Sequence, residues 1–393
     1  MSFEQKNIVI TSAIRTAIGT FRGSLKNMQG HDLGSIVVNE VMKRSNLKPD
    51  DVDELIMGQV LTGATGQNPA RQAAIQSGLP IEKTAYVINQ VCGSGLRSIA
   101  AGDQAIKCND SNIVIAGGQE SMSNAYHAIN IRDGQKLEEI NLIDTMIKDG
   151  LWDAFNGYHM GVTAENVASK WEISRKDQDD FALSSQLKAE KAQKEKKFEN
   201  EIIPVIIDSK NKLEVDEHPR KGMTLEKLAK LKPSFKSDGT VTPGNASGIN
   251  DGAAAVVLMN QSEAKKRSLK ILGKIVSWAT CGVDPALMGS GPIPATKKAL
   301  SKAGWQVKDL DLIESNEAFA AQSLAVIKDL GLPNDKVNVN GGAIALGHPI
   351  GASGTRILVT LLHEMQRRDV KKGLATLCIG GGMGIAMCIE NIK

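Results

Sequence analysis

Within its 393 residues the chain states one pattern twice, and this repeat limits the possible folds more than composition does. Residues 48–80 read Lys-Pro-Asp-Asp-Val-Asp-Glu-Leu-Ile, a glycine-rich segment, and a helical stretch stopped by Gly78-Leu79-Pro80. Residues 307–333 read Val-Lys-Asp-Leu-Asp-Leu-Ile, a turn, and a helical stretch stopped by Gly331-Leu332-Pro333, 253 positions later. Gly93-Ser-Gly-Leu-Arg97 and Gly351-Ala-Ser-Gly-Thr-Arg356 follow, with their arginines 259 positions apart. Each leads through a helix into a strand closing on glycines, Ile113-Val-Ile-Ala-Gly-Gly118 and Thr376-Leu-Cys-Ile-Gly-Gly381. Three features at nearly one offset predict two copies of a β/α unit packed side by side. Strands alternating with helices predict mostly parallel sheets with helices on their faces.

The stretch between the copies differs in character. It holds a polar helix from Ser174 to Lys197 and a basic run with few strands (Lys210, Lys212, Arg220, Lys221, Lys227, Lys230, Lys232, Lys236). It ends in the turn-rich Thr240-Val-Thr-Pro-Gly-Asn-Ala-Ser-Gly248, after which residues 251–259 read as a strand of the first copy. The expected organisation is a first half over 1–120 plus 249–270, an insertion over 121–248, and a second half over 271–393. The basic run reads either as a solvated face or as a surface for a polyanionic ligand such as a phosphorylated cofactor.

A net charge of +3 with 4% aromatic residues gives neither the charge nor the stacking groups that nucleic-acid binding needs. Five scattered cysteines with no C-x-x-C pair argue against a disulfide framework or a zinc knuckle, and no metal site is expected. No apolar run approaches the ~20 residues of a membrane span. The opening Met1-Ser-Phe-Glu-Gln-Lys and the closing Asn391-Ile-Lys393 carry no recognisable address, which makes a cytoplasmic protein the expectation.

Chemistry concentrates at four places. Residues 85–88 read as a buried strand that breaks at Cys92, and a helical pattern resumes at Leu96. A cysteine at that turn meets the positive end of a helix, which favours the thiolate; the bland alternative is a small core residue. His348 lies in the matching glycine-dense loop of the second copy, so a pseudo-twofold would bring imidazole and sulfur together. Cys378 ends a strand beside three glycines, of which Gly380 offers an N–H to a developing oxyanion; taken alone it reads as a buried strand cysteine. Asn316 ends another strand, where its amide would hold a water or a carbonyl oxygen, or serve as a helix cap.

The segments Asn89-Gln-Val-Cys-Gly-Ser-Gly-Leu-Arg97, Asn316-Glu-Ala-Phe-Ala320, Gly347-His348-Pro349 and Cys378-Ile-Gly-Gly-Gly382, in this order and over the whole chain, resemble the active-site signatures of the thiolase family. The resemblance implies an α/β thiolase fold: duplicated βαβαβαββ halves in α/β/α/β/α layers, with an inserted loop domain, usually assembled as a homodimer or homotetramer. It implies that Cys92 is the nucleophile, His348 its base, and Cys378 the group that exchanges a proton with the substrate α-carbon. His348 and a water on Asn316 would then serve the enolate, and the backbone N–H groups of Cys92 and Gly380 the tetrahedral intermediate. Coenzyme A and acetyl-CoA enter as substrates, with no permanently bound cofactor. By the same resemblance Ala246 and Ser247 contact the pantetheine arm and Arg220 the nucleotide end. His159, Met160 and Met288 line the acyl pocket, and Ala318 and Phe319 join the substrate-binding set.

The implied reaction is reversible condensation of two acetyl-CoA to acetoacetyl-CoA, with a broader-chain 3-ketoacyl-CoA thiolase as the alternative. A decarboxylating synthase or a thioester hydrolase would use a Cys–His pair but has no use for Cys378. A non-catalytic CoA- or partner-binding scaffold would be expected to have lost one of these groups, and none is missing.

Overall fold

The computed structural model describes residues 6–132, 134 and 141–392; residues 1–5 and 393, read above for targeting signals, lie outside them. In the first half β1 (Ile8–Thr16), α1 (Gly30–Arg44), β2 (Glu54–Gly58), α2 (Pro69–Gln76), β3 (Thr84–Ile88), α3 (Ser94–Lys107) and β4 (Ile113–Ser121) follow one another. A long excursion carrying α4 (Met160–Lys170) and α5 (Arg175–Lys194) precedes β5 (Asn250–Asn260). The second half runs β6 (Gly273–Gly282), α6 (Pro292–Ala303), β7 (Leu312–Ser315), α7 (Ala320–Leu330), α8 (Ser353–Arg368), β8 (Lys372–Ile379) and β9 (Met383–Glu390). Its third strand is reduced to one parallel bridge, Ile313 with Val337.

The strand order β7-β8-β9-β6-β1-β5-β4-β2-β3 reads alike from its middle outward, apart from β3. The halves join where Val9 and Ile10 of β1 pair with Lys274 and Gly273 of β6. Matching residues do matching work. Asp53 accepts the backbone N–H groups of Asn112 and Ile113, and Asp311 accepts those of Lys371 and Lys372. This fixes the correspondence of β2 with β7, Asp53 matching Asp311 at an offset of 258.

Alternating side chains along a strand face opposite ways, and β1 shows the result. Ile8 and Ile10 join a central core with Leu96 and Ile99 of α3 and Leu358 and Leu362 of α8. Val9 and Ile14 join an outer core with Leu33 and Val37 of α1. A third core packs Ala295, Ala299 and Val326 of α6 and α7 against the outer face of the second half. The layers are therefore α/β/α/β/α, with α3 and α8 in the middle.

Two expectations are corrected here. The sheet is mixed, not mostly parallel: β2 pairs in parallel with β3 and β4, and β7 with β8, but β5 and β9 run antiparallel to both their neighbours. β5 returns only after the excursion, and β9 turns straight back after β8 through Gly381 and Gly382, both at φ +82. Residues 85–88 do form a strand, but not a buried one. β3 is the outer edge of the sheet, and its Tyr86 is 38% exposed.

The two central helices touch backbone to backbone at their first turns. A Cβ added to Gly95 would lie 2.8 Å from the Thr355 nitrogen, and one added to Gly354 would lie 2.3 Å from the Leu96 nitrogen. Thr355 Oγ1 donates to the Gly95 carbonyl at 2.9 Å. Gly354→Ala is expected to cost about 1–3 kcal/mol by overpacking a contact that has no flexible side chain to yield. Gly63→Ala, with open space around it, is expected to stay within about 0.5 kcal/mol of the parent in the same denaturation measurement.

Candidate active site

Cys92 sits on the turn between β3 and α3, 4% exposed. The residue before it, Val91, is held at φ +45, a left-handed conformation that a β-branched residue rarely takes. Its neighbours account for that: Asn89 Oδ1 accepts the Val91 N–H, Ser94 Oγ donates to the Val91 carbonyl, and Ser94 Oγ accepts the Gln90 N–H. The sequence offered no sign that a valine would carry this turn. The N–H groups of Gly380 and of Cys92 itself point at the Cys92 sulfur, and Cys378 lies close enough that a negative charge on one sulfur opposes a charge on the other.

His348 is buried in the loop before α8. Ser353 Oγ donates to the Pro349 carbonyl at 2.8 Å and lies 2.6 Å from His348 Nδ1. Since the hydroxyl has one proton and gives it to Pro349, Nδ1 carries the ring proton and Nε2 keeps its lone pair. Nε2 is 3.4 Å from the Asn316 amide nitrogen, and the Asn316 carbonyl oxygen has no protein partner. Asn316 is not a helix cap, because α7 is capped by Phe319. Asn250 Oδ1 anchors the His348 N–H at 2.9 Å, and Glu120 ties the Gly351 N–H to those of Val60 and Leu61. Ser353, Asn250 and Glu120 went unnoticed in the sequence; only Ser353, one turn past the histidine loop, was within reach of a local argument.

Residues 316–319 join these two groups. Asn316 meets the imidazole, while Ala318, Met160, Met288 and Cys378 form one small apolar cluster flanked by Phe319 and Leu151. The insertion reaches the same place. Ser247 N–H donates to the Ala318 carbonyl, Ala246 bridges to Phe319, and Ala320 N–H donates to the Asn245 carbonyl. His159 stacks on Phe235 with ring centres 4.6 Å apart, and Phe235 meets Phe319 edge-on. Phe235, hidden among lysines in the sequence, is thus a wall residue. Arg220 stands apart: it is exposed, its backbone N–H is on Gln186, and among the described residues its charge bears on His218, not on the apolar cluster.

Electrostatics overturn one expectation. Burial pushes the Cys92 thiol up to about 11, against the pull of the Gly380 and Cys92 N–H groups and with a further push from Glu120. The helix start therefore does not win, and the resting group is a thiol. Burial and then the charge of Arg356 press the His348 imidazole down to about 3, and burial and then Cys92 push the Cys378 thiol well above its ordinary value. Sulfur and imidazole therefore both rest neutral.

Residues 8–262 match the family described as "Thiolase, N-terminal domain", and residues 269–391 match "Thiolase, C-terminal domain". The chain belongs to the thiolase family. It is 62% identical to an acetyl-CoA acetyltransferase of Paracoccus denitrificans, covering 98% of this chain and 99% of that one. It is 54% identical to the cytosolic acetyl-CoA acetyltransferase of Mus musculus, covering 98% of each. A solved human mitochondrial 3-ketoacyl-CoA thiolase in complex with CoA superposes with a TM-score of 0.96 at 43% identity, covering 99% of this chain and 98% of that one.

Ser353→Ala removes the group that fixes the imidazole tautomer. The expected result is about a tenfold slower alkylation of Cys92 by iodoacetamide at pH 7, followed by peptide mass, with the thermal midpoint little changed. An unchanged rate would mean that Nδ1 has no influence on the sulfur.

Proposed function

We propose that this protein catalyses the reversible Claisen condensation of two acetyl-CoA to acetoacetyl-CoA and coenzyme A, with an acetyl group carried on Cys92. The observation behind this reading is the pair of buried thiols, Cys92 and Cys378, close enough for their charges to oppose, with Met160, Met288 and Ala318 packed on Cys378 and the His348–Asn316 pair two residues from Ala318. Hydrolysis needs one thiol; making a carbon–carbon bond needs a nucleophile and a separate acid–base group.

The Cys92 sulfur attacks the thioester carbonyl while its proton moves to His348 Nε2. The N–H groups of Cys92 and Gly380 hold the oxyanion. Coenzyme A leaves with the proton of Cys378, so that Cys378 becomes a thiolate opposite the imidazolium. A second acetyl-CoA then gives an α-proton to Cys378, and its enolate oxygen is met by His348 and by a water on Asn316. The carbanion attacks acetyl-Cys92, and the departing Cys92 sulfur recovers its proton from His348. Protons and electrons balance over the cycle, and no cofactor is consumed.

Coenzyme A and acetyl-CoA are substrates, with the pantetheine arm running along Ala246, Ser247 and Phe319 between the insertion and α7. Arg220 is assigned to the nucleotide end; its guanidinium forms no ion pair among the described residues. Met160 and Met288 close the acyl pocket beside Cys378, which favours short chains. The alternative, a broader-chain 3-ketoacyl-CoA thiolase, draws on the equally close fold of the human mitochondrial protein.

The unpaired outer edge of β3, with Tyr86 and the 74% exposed Ile81, supports a homodimer built edge to edge. Exposed Tyr126, Ile131, Leu142 and Ile143 supply an apolar surface for a homotetramer. Among the described residues no helix is long and apolar enough to cross a membrane. A cytoplasmic setting accords with five free thiols and with the cytosolic mouse relative.

Cys378→Ser is expected to lower condensation by at least about a thousandfold while acetyl-CoA still labels Cys92. Full turnover in this variant would point to hydrolase chemistry, and no labelling at all to a scaffold. Thiolysis rates over a series of 3-ketoacyl-CoA lengths are expected to peak at the four-carbon substrate; an optimum at eight or sixteen carbons would select the broader-chain reading.

A further inference from the structure

Behind His348 lies a charged pair that the fold does not require. Arg356 on α8 is 2% exposed, and its Nε, Nη1 and Nη2 atoms have no hydrogen-bond partner. Among the described residues the carboxylate paired with it is Glu314 of β7, with Nη1 3.6 Å from Oε2, and that oxygen is also without a hydrogen bond. The placement is systematic. Ser353 and Arg356 are three residues apart on α8, on one face; Glu314 is on β7 and Asn316, two residues on, directly follows its end. Ser353 and Asn316 hold the two sides of the His348 ring, and the Arg356–Glu314 pair lies one step further along the same two elements.

The internal repeat provides a control. With Asp53 matched to Asp311, Glu314 corresponds to Ile56 and Asn316 to Gly58. Ile56 is fully buried in the central core. Arg356 corresponds to Arg97, which lies over the Trp278 ring at 4.9 Å, part-exposed. The first half therefore builds the same helix–strand contact with an apolar residue and keeps its arginine near the surface. A buried ion pair usually stabilises less than apolar residues of similar volume, so folding alone gives no reason for Glu314 and Arg356.

We propose that the Arg356–Glu314 pair tunes the His348 base: the guanidinium adds to burial in disfavouring the imidazolium, and a negative charge on Glu314 offsets that contribution. Both residues act through His348 and are positioning residues. Arg356 is the charge that bears on His348, whereas the charge bearing on Cys92 is that of Glu120. Burial acts against both members of the pair, raising Glu314 to about 8 and lowering Arg356. A guanidinium keeps its proton under such pressure, so the carboxyl is the member that yields.

The surrounding charges agree with a neutral Glu314. Arg15 of β1 binds Glu201 at 2.6 Å and Asp216 at 2.7 Å, both from the insertion. Both carboxylates are taken by Arg15, and Glu201, together with Glu317, opposes a negative charge on Glu314. Glu317 lies on the other side, satisfied by Ser185, Asn338 and the Ile344 N–H, and Lys188 beyond it binds the Val337 carbonyl. On α8 itself Glu364 is taken by Asn340 and Arg368. Among the other elements packed on α8, β4 carries Glu120, β5 carries Asp251 held by Ser123, and α3 carries Asp103 with Lys107.

The consequence rests on the proposed role of His348 as the base for Cys92, but the test needs no substrate. Alkylation of Cys92 by iodoacetamide would be followed by peptide mass between pH 6 and 9.5. In Arg356→Gln the imidazole becomes more basic, and alkylation at pH 7 is expected to rise about tenfold, the equivalent of about one pK unit. Glu314→Gln stays neutral at every pH: it is expected to match the parent at pH 7 and to be several-fold slower than the parent at pH 9, where the parent's Glu314 has ionised. Arg356→Gln at the parent rate, or Glu314→Gln matching the parent at pH 9, overturns the proposal. If Arg356→Gln fails to fold, the comparison of Glu314→Gln with the parent decides alone. A parent that makes no acetoacetyl-CoA defeats the functional reading and leaves this test standing.

Discussion

The close contact between the first turns of α3 and α8 is what the rest of the architecture depends on. Two helices can meet backbone to backbone only where side chains are missing, and Gly95 and Gly354 supply that gap. Once the two N-termini touch, the loops that precede them are held side by side. One loop carries Cys92 and the other His348, so a packing event in the core sets the chemistry at its end. Glu120 adds to this by holding the Gly351 N–H in the histidine loop together with Val60 and Leu61 of the first half.

Burial then determines how the site behaves. A cysteine at a helix start is usually thought of as activated, yet here desolvation outweighs the N–H groups aimed at it. The same burial keeps the imidazole neutral. In a buried site, donors fixed in advance are worth more than they would be in water.

Duplication made much of the fold legible. The repeated Gly-Leu-Pro stops and the paired glycine–arginine segments located both halves, and residues 251–259 were recognisable as a strand returning after an insertion. Hydrophobic periodicity could not show strand direction, so the antiparallel placement of β5 and β9 was missed. Nor could it show what covers a strand, so β3 read as buried when it is an edge. At the candidate site, motifs singled out Cys92, Asn316, His348 and Cys378, and the structure joins Asn316 to His348 and sets Cys92 near Cys378. The site was illegible where a residue acts through distant neighbours, as Asn250, Glu120 and Phe235 do.

Residue type and spacing were enough to reveal two related halves and to set a sulfur and an imidazole on equivalent loops. These are local matters of residue type and spacing, and a one-dimensional string records them fully. Tertiary structure alone decided the protonation states, the tautomer of His348, and the fate of the two matched arginines. One of these arginines rests on a tryptophan near the surface, and the other is sealed beside a carboxylate. The reason is that charge energetics depend on depth and on partners remote in the chain, and neither is written in the neighbouring residues.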